Sequence, residues 1–73
     1  MHAHGSTPFG DRLKTARRER GMTATQFAER VGVPICNITA YENRGVKPRF
    51  DSLIAIAQVL DCSLDWLCGL SEN

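Results

Sequence analysis

The sequence predicts an all-α protein, a single compact domain of five helices. Three observations point to this fold class. Apolar residues recur at the three- and four-residue intervals of amphipathic helices, several of these segments carry helix start and stop signals, and no segment shows the alternation of a β-strand. The chain has 73 residues, which is enough for one domain and too few for two.

The first helix is predicted to follow a short polar arm. Residues 1–7 are unpatterned and are expected to be flexible. Thr7 is a suitable N-cap, and Pro8 fits the first helical position because its missing N–H would be unpaired there anyway. Apolar residues at helical spacing follow, and Gly21 supplies the C-terminal stop.

The second and third helices are separated by a tight turn. Thr23 and Gln26 have the spacing of a capping box, in which each side chain bonds a backbone N–H that the helix leaves unpaired. This helix ends near Gly32, and Pro34 opens the next one, which runs to about Asn43. Two short helices joined by about three residues centred on a glycine are typical of a helix-turn-helix.

A loop and two further helices complete the predicted domain, which spans residues 8–70. Glycine and proline mark residues 44–49 as a loop. Apolar residues between Leu53 and Leu60 predict the fourth helix, with Phe50 packing at its start. Ser63 is a suitable N-cap for a short fifth helix, and residues 71–73 form a C-terminal tail.

Charge is nearly balanced overall but is unevenly distributed. The formal net charge is +1, with nine Lys and Arg against eight Asp and Glu. The segment from Arg12 to Arg20 carries five cations and one acid, and the loop at residues 44–49 carries three cations and no acid. Residues 61–73 carry acids alone. Such a chain can present a positive face to an anionic partner, although a solvated helix face gives the same pattern.

Other classes of protein find little support in the composition. No apolar run is long enough to span a membrane and no signal peptide is evident, so the expected location is the cytoplasm. Three cysteines without a close pair argue against a disulfide scaffold or a structural zinc site. His2 and His4 lie in the arm and are expected to be inert. We therefore expect no metal, no cofactor and no enzymatic activity.

A resemblance to a known family is carried by two stretches, MTATQFAERVGVPICNITAYENRGVKP and FDSLIAIAQVLDCSLDWLCGL. They resemble the lambda-repressor-like, Cro-type helix-turn-helix domains, also called the XRE family. Numbered from Ala24, the motif has Ala28 fifth, Gly32 ninth and Ile38 fifteenth. A small residue lets two helices cross closely, the glycine permits the turn, and the branched residue anchors the third helix in the core.

The resemblance implies a sequence-specific, DNA-binding transcriptional regulator, a repressor, whose third helix enters the major groove of double-stranded DNA. With Ile38 facing inward, the residues expected to contact bases are Ile35, Cys36, Thr39, Ala40 and Asn43. The residues expected to contact phosphates are Thr23, Thr25, Gln26, Asn37, Arg44, Lys47, Arg49 and Arg17. Apolar groups and the threonine methyl suit thymine methyl groups, and an asparagine suits adenine or a phosphate, which together imply a half-site rich in A and T.

Family members of this kind usually act as homodimers, and the fifth helix is the expected contact through Trp66, Leu67 and Leu70. Trp66 is equally compatible with a place in the core. Cys36 could serve as a redox switch or simply be a small surface residue. The alternative function is a protein-interaction module, such as an antitoxin or a domain that binds another regulator, whose docking patch is the apolar face of the third helix.

Overall fold

The computed structural model describes residues 8–69, and this part of the chain forms five α-helices joined by turns and loops. They are α1 (Pro8–Glu19), α2 (Ala24–Val31), α3 (Ile35–Asn43), α4 (Phe50–Leu60) and α5 (Leu64–Leu67). This part of the chain contains no β-strand and no helix long and apolar enough to cross a membrane. The predicted all-α, five-helix fold class is confirmed.

Local hydrogen bonds set the predicted helix ends. The backbone N–H of Gln26 donates to Thr23 Oγ1 at 3.1 Å, and the backbone N–H of Thr23 donates to Gln26 Oε1 at 2.9 Å, so the capping box is complete. Gly32 takes the left-handed conformation with φ 89° and donates its N–H to the carbonyl of Ala28. At the start of α5, Ser63 Oγ accepts from the N–H of Trp66 at 3.1 Å. The sequence signals at these positions therefore act as predicted.

Every helix contributes to one apolar core. The largest side chains that are fully buried are Phe27, Leu13, Ile38, Ile56, Leu60 and Leu67. They come from all five helices, so even the short α5 contributes a side chain to the core that the other four helices form. Ile38 has no exposed surface, which confirms that it anchors α3. A core shared by all the helices fixes the orientation of α3 relative to the rest of the domain.

The packing of α1 against α3 is unusually close and includes a buried ion pair. Arg17 donates through Nε and Nη2 to the two carboxylate oxygens of Glu42 at 2.7 and 3.1 Å, and through Nη1 to the carbonyl of Met22 at 2.7 Å. Gly10 lies directly against the carbonyl groups of Tyr41 and Glu42. The prediction of Arg17 as a surface residue available to phosphates is wrong, because its guanidinium is buried and bound inside the domain.

The residues predicted to form the dimer contact are largely used within the domain. Leu67 has no exposed surface. Trp66 is half-buried, with the Arg12 guanidinium 5.2 Å from its ring centroid and bonded to its backbone carbonyl. The prediction of Leu67 as an interface residue is wrong, because α5 needs this side chain to pack on the core. Trp66 packs against the core, in agreement with the alternative that places it there. Leu70 lies outside the described residues.

The start of α4 extends beyond the core. Phe50 is 72% exposed, so the prediction that it packs there is wrong. The buried residues of α4 are Ile56, Ala57 and Leu60, which all lie in its second half. The predicted cap at Thr7, the arm and the tail at residues 71–73 also lie outside the described residues.

Candidate nucleic-acid interface

One face of α3 is open to solvent. Ile35, Cys36, Thr39 and Asn43 are all exposed, and the last three are spaced so that they follow one side of the helix. The Thr39 hydroxyl donates back to the carbonyl of Cys36 at 3.0 Å. This bond directs the hydroxyl toward the helix and leaves the threonine methyl on the outer surface. The exposed face thus offers apolar groups along most of its length and an amide at its end.

Ala40, which is also predicted to lie on this face, is buried instead, with 4% of its surface exposed. The loop at residues 44–49 folds back over it, and the N–H groups of Arg44 and Val46 both donate to its carbonyl, at 3.0 and 3.3 Å. The prediction that Ala40 faces outward with Cys36 and Thr39 is therefore wrong. The apolar patch suggested for a protein-docking alternative loses the same residue.

The loop cations border the same groove as α3. Arg44, Lys47 and Arg49 are exposed, and together with Cys36 and Asn37 of α3 they line a groove between the helix and the loop. The backbone bonds to Ala40 hold the first part of this loop against the helix. Positive charge is therefore concentrated beside the exposed face of α3, where an anionic ligand that contacts the helix also meets the loop.

The N-terminus of α2 adds a second group of donors. Thr23, Thr25 and Gln26 are exposed there. The capping box uses Thr23 Oγ1 and Gln26 Oε1 as acceptors, so the hydroxyl hydrogen and the amide NH2 stay available as donors. The N–H groups of the first helical residues have no acceptor within the helix, and the helix dipole makes this end attractive to anions.

The cysteines of the described residues are all free thiols, at Cys36, Cys62 and Cys68. Burial raises the pKa of the Cys62 thiol, which keeps it protonated and unreactive near neutral pH. Cys36 is exposed, and its Sγ lies 3.7 Å from Asn37 Oδ1 as a weak donor. Its redox role stays a prediction. No cluster of three or more potential metal ligands occurs among residues 8–69.

Three residues that matter to the interface were not singled out from the sequence. Lys14 Nζ donates to Asn43 Oδ1 at 2.7 Å, which joins α1 to the end of α3. Gly10 and Glu42 hold α3 against α1. Each of these contacts joins residues that lie at least 25 positions apart in the chain, so no local spacing rule identifies them.

Comparison with known proteins agrees with this geometry. The sequence profile of the helix-turn-helix family matches residues 13–67. The chain belongs to this family, and within it to the lambda-repressor-like, Cro-type domains. It is 32% identical to the uncharacterized HTH-type transcriptional regulator YobD of Bacillus subtilis strain 168 over 65 residues, which are 89% of this chain and 58% of YobD.

Two further relatives are informative. The chain is 32% identical to the cryptic phage CTXphi transcriptional repressor RstR of Vibrio cholerae, over 81% of this chain and 53% of RstR. The structure of the Bacillus subtilis biofilm regulator SinR in complex with DNA superposes with a TM-score of 0.76 and 31% identity, covering 82% of this chain and 97% of that one. SinR is also solved in complex with the SinI protein. The chain spans only between a half and three fifths of the length of YobD and RstR.

Proposed function

We propose that the chain is the DNA-binding domain of a sequence-specific transcriptional regulator that acts in the cytoplasm as a repressor, and that it is not an enzyme. One observation carries the proposal: Cys36, at the edge of the exposed face of α3, lines one groove together with the three loop cations. A helix that is anchored in a core and flanked by phosphate-binding cations is the arrangement that places side chains in a major groove. The likeness to SinR, which is solved on DNA, supports the same conclusion.

The chemistry of α3 favours A/T-rich half-sites. Ile35, Cys36 and the outward methyl of Thr39 offer apolar contacts, which suit the methyl group of thymine. None of them provides the bidentate donor that arginine or lysine gives to guanine. Sequence-dependent shape of the duplex is expected to supply a further part of the preference.

We propose that Arg44, Lys47 and Arg49 bind phosphates, together with Asn37, which lines the same groove. The donors at the start of α2 are proposed as further phosphate contacts. The test is fluorescence-anisotropy binding to random and A/T-rich duplexes across a salt series. Binding should weaken as salt rises. Arg44→Gln, Lys47→Gln and Arg49→Gln should each reduce, by about one unit, the magnitude of the slope of the logarithm of the binding constant against the logarithm of the salt concentration.

Arg30→Gln is the matched control for this experiment. Arg30 is an exposed cation in the last turn of α2, at the opposite end of the helix from its capped N-terminus. Arg30→Gln removes one positive charge, as each loop substitution does, and should leave the salt dependence of DNA binding unchanged. Equal effects of all four variants would mean that only net charge matters, and an absence of binding even at low salt would contradict the proposed function.

A second copy of the chain is proposed as the partner on DNA, with half-sites about 34 Å apart. Since Leu67 is buried, the exposed Phe50 is the better candidate for the contact between copies. It directly follows the loop cations, and half-buried Leu53 and Ile54 continue its side of α4. An exposed aromatic residue beside a DNA-binding loop can join two copies that lie on one face of the duplex.

Phe50→Ser should therefore leave the domain folded and weaken binding to a duplex with two half-sites by about tenfold, because it removes an apolar contact between copies. Binding to a duplex with a single half-site is the internal control and should not change. The comparison uses anisotropy with both duplexes and sedimentation to count bound copies. Equal losses on both duplexes would place Phe50 in a DNA contact instead.

A protein partner is proposed as a means of controlling this activity, by analogy with the complex of SinR and SinI. The docking alternative on α3 retains the exposed Ile35 but lacks the buried Ala40. Ile35→Asp distinguishes protein docking from DNA binding. A protein partner that docks on Ile35 should lose its contact at every salt concentration, because an apolar group is replaced by a charge. Weakening of DNA binding should instead vary with salt, because the new carboxylate repels phosphates.

A further inference from the structure

Two side chains on the exposed face of α3 use their hydrogen-bond donors within the chain. The Thr39 hydroxyl donates to the carbonyl of Cys36 at 3.0 Å, and Cys36 Sγ lies 3.7 Å from Asn37 Oδ1 as a weak donor. Ile35, which continues this face toward the start of the helix, is 44% exposed and has no polar side-chain atom. The exposed side chains from Ile35 to Thr39 therefore present mainly apolar surface, with the Thr39 methyl group on its outer side.

An apolar group in the major groove recognises the C5-methyl group of a pyrimidine. Thymine carries this methyl group, and so does cytosine after methylation at C5. A T·A pair and a 5-methylcytosine·guanine pair differ in the polar groups at the middle of the groove, where thymine O4 and the adenine amino group are replaced by the cytosine amino group and guanine O6. A side chain that distinguishes the two pairs has to place a donor or an acceptor against these groups.

The hydroxyl of Thr39 is poorly suited to that distinction. Its hydrogen is bonded to the carbonyl of Cys36, so the group offers the bases an acceptor and no donor. An amino group that can donate to this acceptor is present in both pairs, on adenine in one and on the methylated cytosine in the other. The contact through the methyl group is the same in both pairs. Thr39 therefore selects for the methyl group of the pyrimidine more than for the base that carries it.

We infer that Thr39 is a specificity-determining residue that recognises the C5-methyl group of a pyrimidine, so that the chain accepts 5-methylcytosine in place of thymine. The inference rests on the proposed function. It extends the ligand from A/T-rich duplexes to DNA with a C5-methylated cytosine at one position of the half-site. A duplex methylated at that cytosine binds more tightly than the same duplex without the methyl group, so the modification state of the DNA controls the regulator.

Duplexes that differ by one methyl group test the inference. An operator is selected with the original chain from a randomised library, and each thymine of its half-site is replaced in turn by deoxyuridine, which removes the methyl group and keeps every hydrogen-bonding group. At one position or more, the dissociation constant measured by fluorescence anisotropy should rise about three- to fivefold. At such a position, a 5-methylcytosine·guanine pair should bind about three- to fivefold more tightly than an unmethylated C·G pair.

Two matched variants assign the effect to the Thr39 methyl group. Thr39→Ser keeps the hydroxyl and removes the methyl group, so it should bind the methylated and unmethylated C·G duplexes alike. Thr39→Val keeps a methyl group and removes the hydroxyl, so it should retain the preference for the methylated duplex. Thr39 is exposed, and circular dichroism should show that both variants fold as the original chain does. A preference that arises from the shape of the methylated duplex would persist in Thr39→Ser.

Three results would overturn the inference and leave the proposed function intact, since the original chain binds DNA in each of them. The first is equal binding of the thymine and deoxyuridine duplexes at every position. The second is equal binding of the original chain to C·G duplexes with and without the methyl group. The third is a preference that Thr39→Ser retains in full or that Thr39→Val loses. If the original chain enriches no sequence and binds no duplex, the inference and the proposed function fail together.

Discussion

Glu42→Ala should lower the free energy of unfolding by about 3–5 kcal/mol, because it leaves the Arg17 guanidinium buried without its counter-ion. The carboxylate accepts two hydrogen bonds from Arg17, and the side chains are 2% and 9% exposed. A domain of this size has a total stability on the order of 5–15 kcal/mol. The substitution should therefore reduce the midpoint of thermal unfolding by roughly 12 to 40 °C.

The measurement is urea denaturation followed by circular dichroism, with Glu29→Ala as the matched control. Glu29 is exposed on α2, and its loss should change stability by less than about 0.5 kcal/mol. Replacing both partners, as Arg17→Met with Glu42→Leu, should recover much of the stability lost in Glu42→Ala because no charge is left buried. If Glu42→Ala costs no more than Glu29→Ala, the ion pair does not hold α3 against α1.

Gly10→Ala should also destabilise the domain, although alanine is the better helix former. In an exposed helix interior this change would stabilise by up to about 1 kcal/mol. Here a Cβ atom would lie 2.6 Å from the Tyr41 carbonyl oxygen and 2.9 Å from that of Glu42. Both are backbone atoms that cannot turn aside, so the helices must separate. We expect a net loss of about 1–3 kcal/mol, with a larger loss for Gly10→Val.

The effect of Gly10 should extend to the interface. Moving α1 away from α3 lengthens both the Arg17–Glu42 pair and the Lys14–Asn43 bond, so Gly10→Ala should weaken DNA binding without removing any DNA-contacting group. Thr15→Ala is the control, since Thr15 is exposed on the same helix and its change should be neutral or slightly stabilising. A Gly10→Ala variant as stable as Thr15→Ala would show that α1 and α3 accommodate the added Cβ atom without separating.

Features set by neighbouring residues were predictable from the sequence. The capping box of Thr23 and Gln26 and the caps at Gly32 and Ser63 depend on a few adjacent positions, and the structure confirms all of them. The anchor at Ile38 was equally accessible, because its place in the helix-turn-helix motif is recognisable from spacing. Local chemistry thus determined the helices and which side of α3 enters the core.

Features set by distant parts of the chain were missed. A helical projection from Ile38 places Ala40 on the outer side of α3, but the projection contains no information about the loop whose N–H groups bond to Ala40. Local sequence spacing does not distinguish Arg17 from a surface cation, because its partner Glu42 lies 25 residues away in the chain. The same limit explains why the sequence predicts a dimer contact for Leu67 and a packed position for Phe50, since burial in a small domain depends on where each helix ends.

The stacking of Arg12 on Trp66 gives the chain an intrinsic optical probe. Trp66 is the one tryptophan of the sequence, so all indole emission comes from a ring that lies against α1. Detachment of α5 exposes this ring to water and removes the neighbouring cation, and the emission should then change in both intensity and wavelength. Undocking of the last helix can therefore be timed in the unlabelled protein, separately from the loss of helical signal in the rest of the domain.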